Sequence, residues 1–138
     1  MRDRALIARL RDEWLAAFNR QDVDRLDALV TSDLVQLPPN RPALVGLVAA
    51  RRLWTQGFEV ADSQLRFVSR ELEVAGDWAF DWFDWMVTIT ALKDGVRSSD
   101  SGKSLWIWRR EADTWKVARS MWNSDNANAS FWAGGWVT

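Results

Sequence analysis

The chain contains no cysteine, no histidine and no tyrosine. Without cysteine there is no disulfide, no thiolate nucleophile and no zinc–thiolate site. Without histidine there is no imidazole general base, no histidine-dependent triad and no imidazole metal ligand. Without tyrosine, no phenol can donate to an oxyanion. An excess of one charge is also lacking. The 18 Lys and Arg against 19 Asp and Glu leave a net charge of −1, with the signs interspersed, so nothing would hold a nucleic-acid backbone or an anionic membrane. No apolar run approaches the roughly 20 residues of a membrane span. The N-terminus carries Arg2, Asp3, Arg4, Arg9 and Arg11 among its apolar positions, which does not fit a signal peptide, and the expected location is cytoplasmic. No acidic spacing resembles a calcium loop, so neither a metal nor a cofactor is expected.

What is there is tryptophan. Eleven occur in 138 residues that are 48% hydrophobic and 27% charged, the composition of a globular protein with one core. We read residues 1–138 as a single domain with 126–138 as a C-terminal tail. Indole is a hydrogen-bond donor only. A pocket built from it is apolar and rigid, with a few N–H groups pointing inward. Any acid–base chemistry must then use Asp, Glu, Lys or water.

Along the chain, Leu6, Leu10, Trp14, Ala17 and Phe18 fall at helical spacing, predicting a helix over 3–20. Asn19 and Asp22 are helix-end groups, and Asp22 caps a short helix over 23–30. Residues 34–37 predict a strand, ended by Pro38, Pro39 and Pro42. A third helix over 46–58 carries Leu47, Ala50, Leu53, Trp54 and Phe58 on one stripe. From Ser63 the pattern becomes β: strands over 64–75 (with a bulge near Ser69), 78–91, 103–110 and 115–124, and a polar loop over 93–102. The motif Asp100-Ser101-Gly102-Lys103 lacks the glycine spacing of a phosphate loop and reads as a hairpin turn. Phe131, Trp132 and Trp136 suggest that the tail docks on the body or on a partner. Helices first and an antiparallel sheet after make an α+β domain with a curved sheet wrapped around the helices.

The centre of this pattern is Gly76–Ala91, GDWAFDWFDWMVTITA. A turn opens it, and aromatic residues then crowd around two aspartates. A carboxylate in such surroundings is either paired with a base or kept there to work.

The order of elements, together with WLAAFNRQD at 14–22, DLVQLPP at 33–39, Val45-Gly46, GDWAF at 76–80, Asp100 to Lys103, Trp108-Arg109-Arg110, and WKVAR at 115–119 leading to WNSD at 122–125, resembles the nuclear-transport-factor-2-like superfamily. That group has a cystatin-like α+β cone and includes ketosteroid isomerases, scytalone dehydratases, limonene epoxide hydrolases and SnoaL-like cyclases. The resemblance implies a pocket between helices and sheet. It aligns Trp14 with the isomerases' helix tyrosine and Leu37-Pro38 with the position of their catalytic base. It aligns Trp82, Asp84 and Ser120 with the epoxide hydrolases' arginine and two aspartates. Scytalone dehydratases depend on histidines, which this chain lacks. No complete family active site is present.

On this resemblance the face of Trp82, Asp84 and Met86 lines the cone, with Trp14, Phe18, Trp54, Trp106, Trp108, Ser120 and Trp122 around it. Asp84 is then the candidate catalytic residue. Desolvation would raise its pKa and suit it to work as general base or acid on a small apolar or aromatic molecule. Its structural alternative is an arginine ion pair or indole hydrogen bonds. Asp81, of opposite parity, is expected to face solvent or a partner. Arg119 and Asn123 are expected on the sheet surface. The competing function is a non-catalytic hydrophobic-ligand-binding protein. The resemblance also implies a homodimer through the outer sheet face, to which Phe83, Trp85 and Trp115 are assigned. A redesigned or laboratory-selected pocket would carry the same composition.

Overall fold

A computed structural model describes residues 2–127. Helices α1 (Arg2–Asn19) and α2 (Val23–Ala28) precede strand β1 (Val30–Leu37), a short β2 (Leu44–Val45) and helix α3 (Leu47–Val60). Strands β3 (Ala61–Ala75), β4 (Trp78–Ala91), β5 (Arg97–Glu111) and β6 (Thr114–Ser124) follow. All six strands form one curved sheet in the order β2-β1-β6-β5-β4-β3. The expected α+β architecture is the one observed. The pairing of β1 with β6 is parallel, and the remaining pairs are antiparallel.

The helices lie where their apolar stripes dictate. On α3, Ala50, Leu53, Trp54 and Phe58 recur at spacings of three and four and are buried. Each large one contributes about 1.5–3 kcal/mol by leaving water. On α1 the buried set is Ile7, Leu10, Arg11, Ala17 and Phe18, a stripe that includes a charge. Asp22 caps α2 by accepting from the Arg25 backbone N–H at 3.0 Å. Asn19 does more than end a helix. Its side-chain amide donates to the Leu65 carbonyl (2.9 Å) and accepts from the Leu65 N–H (2.7 Å), fastening α1 to β3. Among the described residues, no helix is long and apolar enough to cross a membrane.

Two strand boundaries differ most from expectation, and β3 also starts earlier, at Ala61. β1 starts at Val30, where the β-branched pair Val30-Thr31 extends the strand instead of the second helix. β5 starts at Arg97, inside the expected loop, because Thr90 to Val87 pair with Arg97 to Asp100. The polarity of that segment reflects an exposed ladder. Gly76, at φ +63°, makes the tight turn in which Ala75 pairs with Trp78. The expected bulge is present as a register shift between Ser69 and Glu71.

The main correction concerns the faces of β4. Ala79, Asp81, Phe83, Trp85, Val87 and Ile89 point into the core, while Trp78, Phe80, Trp82, Asp84, Met86 and Thr88 alternate outward. Phe83, Trp85 and Trp115, assigned above to a dimer surface, are buried. Aromatic residues occupy both parities of 78–85, so the aromatic run alone does not choose a face. The second half does: Val87 and Ile89 are apolar, and Thr88 and Thr90 are not. Of the expected tail, residues 128–138, with Phe131, Trp132 and Trp136, lie outside the described residues.

Candidate functional site

The inner face of the sheet and helices α1 and α3 enclose a cavity of about 80 Å³. Trp14 and Phe18 come from α1, Leu53 and Trp54 from α3, and Leu65 and Phe67 from β3. Trp85 and Val87 of β4, Trp106 of β5 and Trp122 of β6 complete its apolar walls. The rings interlock. Trp14 stacks on Phe18 at 5.4 Å, and Trp106 meets Trp14 edge-on at 4.9 Å and Phe83 at 5.0 Å. Offset and edge-on packing of this kind holds the walls stiff.

Four neutral polar residues break the apolar lining: Gln36, Ser63, Ser104 and Ser120. Gln36 and Ser120 are register partners on β1 and β6, and Ser120 is in turn paired with Trp106 of β5. Gln36 is 5% exposed and Ser63 2%. Among the described residues, the Gln36 Oε1 and Ser63 Oγ atoms are buried without a hydrogen-bond partner. No ionisable side chain is among the described residues that line the cavity.

The charge lies behind the wall. Asp81, 0% exposed, accepts from Arg11 of α1 at 2.5 Å and from the Trp108 indole at 3.2 Å. The Arg11 guanidinium also sits 5.8 Å over the Phe83 ring. Burial pushes the Asp81 carboxyl above the usual carboxylate range, opposed by Arg11 and by the Trp108 hydrogen bond. Asp81 is the register partner of Trp106, but it does not line the cavity. Both oxygens are engaged, which makes Asp81 an anchor between α1 and the sheet.

Asp84 is on the opposite face. Its carboxylate pairs with Arg70 through Nε at 2.6 Å, and its side chain is 32% exposed. Arg70 is the extra residue of the β3 bulge, so the bulge supplies the partner. The expected general base therefore stands outside the cone, in the structural role named as its alternative. Trp82 and Met86 stand on the outer face with it, because side chains on a strand alternate.

Of the other expected site residues, Trp14, Phe18, Trp54, Trp106, Ser120 and Trp122 do meet in the cavity. Trp108 is buried beside it, bonded to Asp81. Arg119 lies on the outer side, donating to the backbone carbonyls of Asp33 and Ala118. Sequence reasoning passed over Gln36, Ser63, Ser104 and Trp85. For Gln36 a signal existed: it alternates with Leu34 and Pro38, so one polar residue interrupts a buried parity.

Several solved structures share the fold. A ketosteroid isomerase-like protein from Erwinia carotovora atroseptica superposes with a TM-score of 0.82 at 28% identity, over 90% of this chain and 97% of that one. A conserved protein from Planctomyces limnophilus reaches 0.82 at 22% identity, over 88% and 97%. A hexachlorocyclohexane dehydrochlorinase, LinA type 2, reaches 0.80 at 15% identity, over 89% and 85%. No curated protein matches the sequence. Structures with this fold thus include a dehydrochlorinase and a protein likened to an isomerase. With residues 12–122 matching the SnoaL-like domain, the chain belongs to that family.

Proposed function

We propose that this protein binds a small, neutral, largely apolar or aromatic molecule in the cavity between α1, α3 and the sheet, and that it does so without catalysing proton transfer. The observation that carries this reading is the lining: aromatic rings and uncharged polar groups, with no carboxylate, lysine or arginine among the described residues that face the cavity. A charged ligand would be desolvated there without a counter-charge. A proton-transfer reaction would lack a group to accept the proton. Asp84 is on the other face, and both Asp81 oxygens are engaged. Cavity tryptophans make intrinsic fluorescence a direct reporter. Titration with phenol should change the emission saturably, and benzoate should do so at least tenfold more weakly. Equal binding of benzoate, or turnover of a bound compound that is abolished by Asp84→Asn, would sink the proposal.

We further propose that the outer sheet face pairs with a second copy of the chain. Trp82, Leu105 and Met121 are register neighbours across β4, β5 and β6, and all three are exposed. Trp78 and Phe80 extend this apolar surface, and such patches mark interfaces. Glu71 and Glu73 border it on β3, and Lys103 and Arg119 border it on β5 and β6. A two-fold arrangement would set the acidic border of one copy against the basic border of the other. Light scattering should give twice the chain mass, and Trp82→Arg should halve it. A monomer at working concentration would overturn this.

A further inference from the structure

Two unpartnered atoms on residues that line the cavity narrow the ligand further. Buried polar atoms are nearly always hydrogen-bonded, so one that is not points to a missing partner. Among the described residues, neither the Gln36 Oε1 nor the Ser63 Oγ atom has a hydrogen-bond partner, and both residues, more than nine-tenths buried, line one cavity. They come from opposite sides of the fold: β1 is next to one edge strand of the sheet, and β3 is the other edge. The two residues therefore do not serve each other, and the space between them is walled by indole and phenyl rings.

We infer that the cavity takes a neutral ligand whose enclosed end carries a hydroxyl group, held by Gln36 with Ser120 beside it. This rests on the cavity-binding reading above. The Gln36 amide is placed with its oxygen unpartnered, and an amide oxygen only accepts, so a ligand that meets it there donates to Oε1. A ketone, an ether or a plain hydrocarbon has nothing to donate. A carboxylate would add repulsion from the oxygen it faces, and an ammonium would be buried without an anion. A hydroxyl donates to Gln36 and leaves its own oxygen free to accept from the Ser120 hydroxyl, one strand over in the same register row. Ser63, on the far wall, can donate to or accept from a second polar group and is not required for the first contact.

Size sets the other limit. A cavity of about 150 Å³ accepts benzene. The enclosed space here is about 80 Å³, so a ring enters with its hydroxyl end leading and displaces half-buried Trp122 or projects toward the opening. A small alcohol suits the enclosed part as it stands, a monocyclic phenol enters it only with that displacement or projection, and a fused polycyclic molecule exceeds it further.

The test compares phenol with toluene, in which a methyl group replaces the hydroxyl at similar size. Both are titrated into the whole protein while tryptophan emission is followed with excitation beyond the phenol band. Phenol should bind at least about tenfold more tightly than toluene, because losing the donor leaves the amide oxygen buried and unpaired. In Gln36→Leu this preference should fall to within about twofold, with toluene binding retained or improved. Equal affinity of the two in the unaltered protein, a measurement that needs no variant, would overturn the hydroxyl assignment and leave cavity binding standing. A preference for phenol that persists undiminished in Gln36→Leu would remove Gln36 from the contact. Failure of both ligands to change the emission would overturn cavity binding itself, and the assignment with it.

Discussion

Asp81 and Asp84 are three residues apart on one strand and live in different solvents. Asp81 is sealed behind Trp106, held by Arg11 and Trp108. Asp84 faces outward and shares its charge with Arg70 at a bulge. Both are aspartate–arginine pairs, yet the energetics differ. An exposed pair has water as an alternative partner and contributes little. A buried pair has none, so each member depends on the other even if the pair as a whole is no better than an apolar substitute. The same sequence feature, a carboxylate among tryptophans, thus yields an anchor in one case and surface decoration in the other. Neither is among the described residues that line the cavity.

The comparison breaks most sharply at Arg11. Arg11→Met should cost about 3–5 kcal/mol by leaving the Asp81 carboxylate buried with only an indole partner. The double variant Arg11→Met/Asp81→Leu should recover most of that loss in urea unfolding. If the double variant is no better than the single, the penalty is not one of unpaired charge. Next in size is a packing test on the inner face. A methyl at Gly102 would fall 1.9 Å from the Asn123 carbonyl oxygen and 2.4 Å from the Trp85 ring. Gly102→Ala should therefore cost about 1–3 kcal/mol and shift the tryptophan emission as Trp85 is displaced. On the outer face, Asp84→Asn should change stability by no more than about 1 kcal/mol and leave phenol affinity within about twofold; a tenfold loss of binding would return Asp84 to the site.

The smallest effect is in the pH profile, and its sign divides the acids again. Asp3 is lowered to about 2 chiefly by its hydrogen bond with Arg110, and Asp33 to about 2 chiefly by its bond with Arg109. Their folded values lie below the unfolded one, so their contribution is present above about pH 4 and is lost as the pH falls toward 2. Asp81 is raised, so its contribution is largest below the unfolded value and is lost as the pH rises through the folded one. Asp3→Asn and Asp33→Asn should flatten the acid limb of a stability curve measured from pH 2 to 7. Asp81→Asn should remove a term of the opposite slope. An acid limb unchanged by the first two substitutions would count against these pairings.

Much of the fold was legible because helical stripes and strand alternation are local signals. Trp54 and Phe58 on α3, the Asp22 cap and the Ser69 bulge all stand where spacing and residue type put them. The face of β4 was not legible from its aromatic half, since Trp82 and Phe83 are equally suited to a core and only one of them has it. Arg11 held the missing information. It recurs at helical spacing with Ile7 and Phe18, in a stripe that should be apolar, and a buried arginine requires a buried acid. Asp81 is the acid that answers it. The cavity's polar groups were harder to see, because a glutamine or serine carries no sign of burial until the strands around it are paired.

The parallel pairing of β1 with β6 has a consequence in time. Val35 lies beside Arg119 and Gln36 beside Ser120, contacts between segments near opposite ends of the described chain. A hairpin such as β3–β4 can zip from its turn, but β1 has no lasting place in the sheet until β6 exists. Contacts of such long sequence separation are slow to form, because the intervening loop must close first. The cavity is incomplete before that closure, since Gln36 and Ser120 stand on the two strands it joins. Until then the apolar stripe of α3 lacks β1, one of the strands it packs on, and exposed apolar surface of this kind favours aggregation.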